Sequence, residues 1–285
     1  MVKVNGPRIE QSRQAADPPV GILGVPGRLP FTVHRFRPAD DLSWCVELFW
    51  VSSWDVPGDQ VAVTRILPHP SVNVTLQDGS IWVTGVPRGV FSRHLTGRGR
   101  VFGVKFRPGA FHLLVDTPVR TLSGTGQSAH DVLPGSTALE RSLGEATDDE
   151  QRAERVEGYL RWRRVAPDRG VKVVGEAVEA LTRAQPGVRV DEVAGQLGVS
   201  GRTLQRLFAE YVGVTPGWVL RRSRLQAAAE RVIQLAATDQ PRGWADVAAE
   251  LGYADQAHFT RDFRRVLGVP PASWAASLVT EEVRG

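Results

Sequence analysis

A single cysteine, Cys45, in 285 residues excludes any disulfide within the chain and any zinc centre built from several thiolates. Lysine is nearly as scarce: it occurs only at positions 3, 105 and 172, so arginine carries almost all the positive charge. No run approaches the roughly twenty consecutive apolar residues that a membrane-spanning helix needs. Residues 1–30 are rich in glycine, proline and polar side chains and lack the hydrophobic centre of a secretion signal, so they read as a flexible arm. The expected compartment is the cytoplasm, with no membrane partner. His34, His69, His94, His112 and His130 are scattered without a His-x-His pair, so no metal site is expected. Nor is there a Gly-x-Ser-x-Gly, phosphate-loop or dinucleotide fingerprint. The chain is therefore expected to be no enzyme, with no catalytic residues and no cofactor.

What is present is an internal repeat. Val193-Ala194 with Leu197-Gly198 recurs 54 residues later as Val247-Ala248 with Leu251-Gly252. After a one-residue insertion, Leu204, Arg206, Phe208, Gly213 and Pro216 recur 55 residues later as Phe259, Arg261, Phe263, Gly268 and Pro271. Each copy reads as two short helices around a turn, with Gly198 or Gly252 as the break and Ser200 or Asp255 capping the second helix. The spacing turns Leu204, Phe208 and Tyr211 to one face of the first such helix and Arg202, Gln205 and Arg206 to the other. In the second copy Phe259 and Phe263 face inward, while Gln256, Thr260 and Arg261 face outward. Such a helix pair is a helix-turn-helix. Its outward set suits base edges: arginine bridges guanine O6 and N7, glutamine bridges adenine N6 and N7, and threonine meets an acceptor or a thymine methyl.

Between the copies, Thr215 caps and Pro216 opens an apolar-periodic run to Ala236 with no proline inside it. A helix of that length, about 30 Å, approaches the 34–36 Å between successive major-groove turns on one face of B-DNA. One chain can then read two grooves. Ser200, Thr203, Arg222 and His258 are the candidates for phosphate contact. Net charge is only +4, and residues 188–276 hold 11 arginines against 9 acidic residues, so binding would depend on where the arginines lie.

The pattern resembles the DNA-binding domain of the arabinose-regulator (AraC/XylS) family of bacterial transcription regulators. The first half of the resemblance rests on Val193-Ala194, Leu197-Gly198-Val199-Ser200, Arg202, Leu204, Arg206 and Phe208. The second rests on Gly252-Tyr253, Asp255-Gln256-Ala257-His258-Phe259, Arg261, Phe263, Gly268 and Pro271. It implies base contacts from Arg202, Gln205 and Arg206 and from Gln256, Ala257, Thr260 and Arg261. Ala257 stands where a longer polar residue occurs in some members.

Upstream, two-residue alternation marks strands: Val72, Val74 and Leu76, then a Gln77-Asp78-Gly79-Ser80 turn into Ile81-Trp82-Val83, and later Phe102, Val104 and Phe106. Helical pattern follows at 111–115, 138–143 and 153–164, with 167–170 as a hinge. The expected fold is α+β in two domains, a β-barrel or sandwich with flanking helices before an all-α double helix-turn-helix domain. Its expected divisions are an arm at 1–30, a β-rich domain at 31–168, a DNA-binding domain at 171–276 and a tail at 277–285. Within the DNA-binding domain the motifs fall near 190–211 and 243–267, joined by a linker helix at 216–236. The β-rich part resembles the cupin-like sensory barrels that precede this DNA-binding domain in many members. Trp44, Glu47, Trp50, Trp82 and Phe102 are its candidate effector-pocket residues. In 44–51, alternation places Cys45, Glu47, Phe49 and Val51 on one face, and two assignments stay open: that face lines a pocket, or Trp44 and Trp50 are core and Glu47 meets solvent.

The expected function is sequence-specific binding of double-stranded DNA to regulate transcription, under control of a small-molecule effector or self-association, with RNA polymerase as a further candidate partner. The alternative is a cupin-like enzyme acting on small molecules, with a tail that tethers it to DNA.

Overall fold

A computed structural model of the chain describes residues 9–10, 22–23, 31–87, 89–124, 126–185, 187–236 and 243–276. Its strands are β1 (Ile9–Glu10), β2 (Ile22–Leu23), β3 (Phe31–Phe36), β4 (Val46–Val56), β5 (Ala62–Ile66), β6 (Asn73–Gln77), β7 (Ser80–Thr84), β8 (Phe91–Leu95), β9 (Gly97–Phe106) and β10 (Gly126–Ser128). Helices α1 (Ala129–Val132), α2 (Ser136–Gly144) and α3 (Asp149–Trp162) follow. The remaining helices are α4 (Arg169–Thr182), α5 (Val190–Gln196), α6 (Gly201–Tyr211), α7 (Pro216–Ala236), α8 (Trp244–Glu250) and α9 (Gln256–Leu267). Of the described helices, none is long and apolar enough to cross a membrane.

The strands form an antiparallel seven-stranded sheet, in the order β1-β3-β4-β9-β6-β7-β10, and a three-stranded sheet, β2-β5-β8. Alternation gives the large sheet two unlike faces. The row Phe36, Phe49, Val104, Val74 and Val83 runs across five strands into an apolar core closed by α1 to α3 and the 3-10 turns at 110–114 and 119–122. One residue along, the row Arg35, Trp50, Gly103, Thr75 and Trp82 faces the other way. Trp50 lies flat across β9 because position 103 is glycine: a Cβ there would stand 2.1 Å from the indole. The hairpin between β6 and β7 turns at Asp78 and Gly79, both with positive φ, as an Asp-Gly two-residue turn requires.

Two expectations change here. Strand β4 carries a bulge between Val46 and Leu48, which breaks strict alternation. Cys45, Val46, Phe49 and Val51 are all core, whereas Glu47 turns to the face of Trp50, where Lys105 donates to it at 2.7 Å. The supposed hinge is pinned: Asp168 caps α4 by accepting from Val171 N at 2.7 Å and also accepts from the Tyr211 hydroxyl at 2.7 Å. Of the arm at 1–30, β1 pairs with β3 and β2 with β5; its other residues, like the tail at 277–285, lie outside the described residues.

Beyond α3 there are two further cores, and α7 belongs to both. Val219 and Leu220 pack with α4, α5 and α6, whereas Leu225, Ala228, Ala229 and Val232 pack with α8 and α9. The β-rich part docks against the first of these units. Ser123 Oγ donates to the Gly213 carbonyl at 2.7 Å, and the rings of His112 and Tyr211 lie 4.3 Å apart.

Candidate nucleic-acid interface

The two motif copies fold alike down to single hydrogen bonds. In the first, Leu197 N donates to Val193 O at 3.2 Å, Gly198 N to Gly195 O at 3.0 Å and Val199 N to Ala194 O at 3.0 Å. In the second, Leu251 N donates to Val247 O at 3.2 Å, Gly252 N to Ala249 O at 3.0 Å and Tyr253 N to Ala248 O at 2.9 Å. These bonds close a helix C-terminus around a left-handed glycine, and the φ values of Gly198 and Gly252, +66° and +72°, supply it. The following helix then starts on a side-chain cap. Ser200 Oγ accepts from Thr203 N at 3.1 Å, and Asp255 Oδ1 accepts from His258 N at 2.6 Å.

Capping fixes the rotation of α6 and α9. Leu204 and Phe208, and likewise Phe259 and Phe263, are fully buried. Arg202, Gln205 and Arg206 are exposed on α6, as are Gln256, Ala257 and Arg261 on α9; Thr260 is half-buried. Among the described residues, Arg202, Gln205, Arg206, Gln256 and Arg261 form no ion pair and no side-chain hydrogen bond. Their donors are unspent, unlike those of Arg231, which pairs with Glu250 at 3.2 Å, and Arg265, which pairs with Asp262 at 3.4 Å. Ala257 offers only a methyl group, which suits a thymine methyl and no polar edge.

The phosphate candidates divide. Ser200 and Thr203 stand at the α6 N-terminus, their hydroxyls 2.9 Å apart, where the helix dipole favours an anion. His258 is exposed one turn into α9, with Nε2 3.8 Å from Asp262 Oδ2. Arg222 corrects the expectation. It is 6% exposed and points into the β-rich part, where Nε donates to Pro68 O at 3.0 Å and Nη2 donates to His69 Nε2 at 3.2 Å and to Gln226 Oε1 at 3.0 Å. Burial pulls its ionisation down to about 10, partly offset by Glu230. An arginine so enclosed, its guanidinium turned into the β-rich part, is not placed to meet a phosphate. Nothing in the α7 pattern distinguishes it from its exposed neighbour Arg221.

The candidate effector residues also separate. Phe102 belongs to the core face, 6.0 Å from the ring of Phe49, and borders an apolar void of about 20 Å³, too small for an organic effector. Trp44 packs on that same core. Both are removed from any pocket on the opposite face. There Trp50 Nε1 donates to Asn73 Oδ1 at 3.3 Å, and Glu47 is occupied by Lys105, whose own ionisation is lowered by burial and restored in part by Glu47. Trp82, 44% exposed, is the candidate that borders open space, a cleft of about 440 Å³ that it shares with Thr75, Gln77, Asp78, Thr84 and Arg93. Arg93 had no sequence signal. It comes from β8 of the other sheet to donate to Gln77, and its guanidinium lies over the Trp54 ring at 5.2 Å. Among the described residues, no three His, Cys, Asp or Glu side chains form a group able to hold a metal ion.

Comparison with known proteins finds residues 176–277 matching a family described as a helix-turn-helix domain, and residues 34–127 matching a domain of unknown function, DUF6597. The chain is 30% identical over 97 residues to the probable transcription factor PqrA of Proteus vulgaris, a match that spans 34% of this chain and 75% of that protein. It is 36% identical over 87 residues to the regulatory protein SoxS of Salmonella typhimurium, spanning 30% of this chain and 77% of that one. Among solved structures, the DNA-binding domain of AdpA in complex with a target DNA is 26% identical, with a TM-score of 0.32 over 42% of this chain and all of that one.

Proposed function

Because the chain belongs to the AraC/XylS family of DNA-binding transcription regulators, we propose that it reads a promoter site of about 20 base pairs with α6 and α9 in successive major grooves. Arg202, Gln205 and Arg206 contact base edges in one half-site, and Gln256, Ala257, Thr260 and Arg261 do so in the other. Ser200, Thr203 and His258 fix the register on phosphates. The observation that carries this reading is the pair of outward faces with unspent donors, held by two identically closed turns. A buried and satisfied side chain would need no partner; these side chains have none among the described residues.

We place the boundary between a β-rich regulatory part, 31–168, and the DNA-binding part, 171–276. Control enters through the former, by a small molecule, by self-association or by contact with RNA polymerase, and acts on chromosomal DNA in the cytoplasm without catalysis. The test is selection of bound sites by the full chain from a random-sequence duplex pool. The expected result is one recurrent site with two half-sites roughly 10–10.5 base pairs apart, centre to centre. Recovery of unenriched sequence would refute it.

A further inference from the structure

The sequence makes α7 the ruler between the two reading helices, yet the structure contains a second tie between the same units. The segment joining β7 to β8 is described at residues 85–87 and 89–90. Val86 at its start is fully buried within the core of the first helix-turn-helix unit, and Val90 at its end packs against the core of the second. Its base is held firmly. Gly124 N donates to Val86 O at 3.2 Å, and Gly85 lies so close to Leu122 that a Cβ would stand 2.3 Å from the Leu122 carbonyl oxygen. On α7, Arg222 falls between Leu220, in the first core, and Leu225, in the second, and its guanidinium is bound to Pro68 O of the β-rich part. The β-rich part thus grips the first unit, the second unit and the helix between them.

We infer that this three-point brace, made by Val86, Val90 and Arg222, sets the rise and rotation of α9 relative to α6 and so determines the spacing between half-sites that the chain accepts. A helix joined at both ends through apolar packing alone bends and rolls at modest cost. Fixing both units to one rigid sheet removes that freedom before DNA arrives, so the correctly spaced site gains and every other spacing loses. The bases read do not change, because no brace residue lies on a reading face. This inference rests on the assignment of α6 and α9 as reading helices.

The probes are the duplex recovered by the wild-type chain from a random pool and versions of it with one or two base pairs added or removed between the half-sites. Each added pair turns one half-site by about 35°, and wild type is expected to lose about tenfold or more in affinity per pair. In Val86→Ser/Val90→Ser and in Arg222→Gln, the difference between spacings is expected to shrink to about threefold or less, with the same preference at each base. Should the double variant fail to fold, Val90→Thr, which keeps the side-chain shape, and Arg222→Gln carry the test, and Val90→Ile is expected to keep the wild-type profile. Spacing profiles of the folded Ser, Thr and Gln variants that coincide with wild type overturn the inference while the DNA-binding reading stands. A wild-type chain that recovers no duplex defeats that reading, and the brace with it.

Discussion

Replacing Arg222 by alanine separates the two roles an arginine on α7 can have. Its side chain makes three hydrogen bonds to groups in the protein, each worth about 1.5–3 kcal/mol when the donor is charged. Against them stands the burial of the cation, which lowers its ionisation to about 10 and so costs about 3 kcal/mol. Alanine removes both terms, but it also leaves the Pro68 carbonyl without its donor and opens a void between α7 and the β-rich part. The expected net loss is about 2–4 kcal/mol in chemical denaturation. The response of DNA affinity to salt should not change, because no phosphate contact is removed. A phosphate contact would instead lower the slope of log K against log salt by about 0.9. Titration of wild type and variant against one duplex at several salt concentrations reads this directly. A slope reduced by about 0.9 with unchanged stability would refute the inward placement of Arg222.

Gly213→Ala is expected to lower stability by about 2 kcal/mol or more in a thermal melt, since φ there is +90° and the added Cβ would lie 2.9 Å from the Val119 carbonyl oxygen. Truncating Glu47 to alanine strands Lys105 in a half-buried site; allowing for the exposure of Glu47, a loss of about 1–2 kcal/mol is expected, and a neutral result would contradict the pairing. Burial raises the Cys45 thiol to about 12 from 9.0, so the unfolded chain ionises first. The stability this contributes is complete below pH 9 and is lost as pH rises toward 12, by about 1.4 kcal/mol per unit. Urea denaturation at pH 7.5 and pH 10 checks it, with Cys45→Ala expected to remove the part of the loss that falls between pH 9 and 10.

The helix-turn-helix half was legible because helix rotation follows from local spacing. Once Ser200 and Asp255 cap their helices, the burial of Phe208 and Phe263 leaves Arg206 and Arg261 nowhere to go but outward. The two halves of the chain were legible as a β-rich part before a helical part, since periods of two and of 3.6 residues differ plainly. The interior of the sheet was not. One bulge after Val46 moves Glu47 off the face of Phe49 and Val51, and alternation counted through a bulge assigns faces wrongly from there on. Arg222, Val86 and Val90 escaped for another reason: their partners come from distant sequence. Pro68 is 154 residues away from Arg222, and no local pattern encodes that meeting. Arg93 likewise reaches Gln77 and Trp54 across two sheets whose packing no strand pattern announces.

In the proposed function, α6 and α9 read bases through Arg206 and Arg261. Titration, at fixed salt, of wild type, Arg206→Ala and Arg261→Ala against the selected duplex and against every single-base variant of it tests this role. Each substitution is expected to cost about 1–3 kcal/mol on the selected site and to abolish discrimination at one base position, a different one for each arginine. Unchanged affinity and unchanged base preference in both variants would show that neither helix reads bases through these arginines.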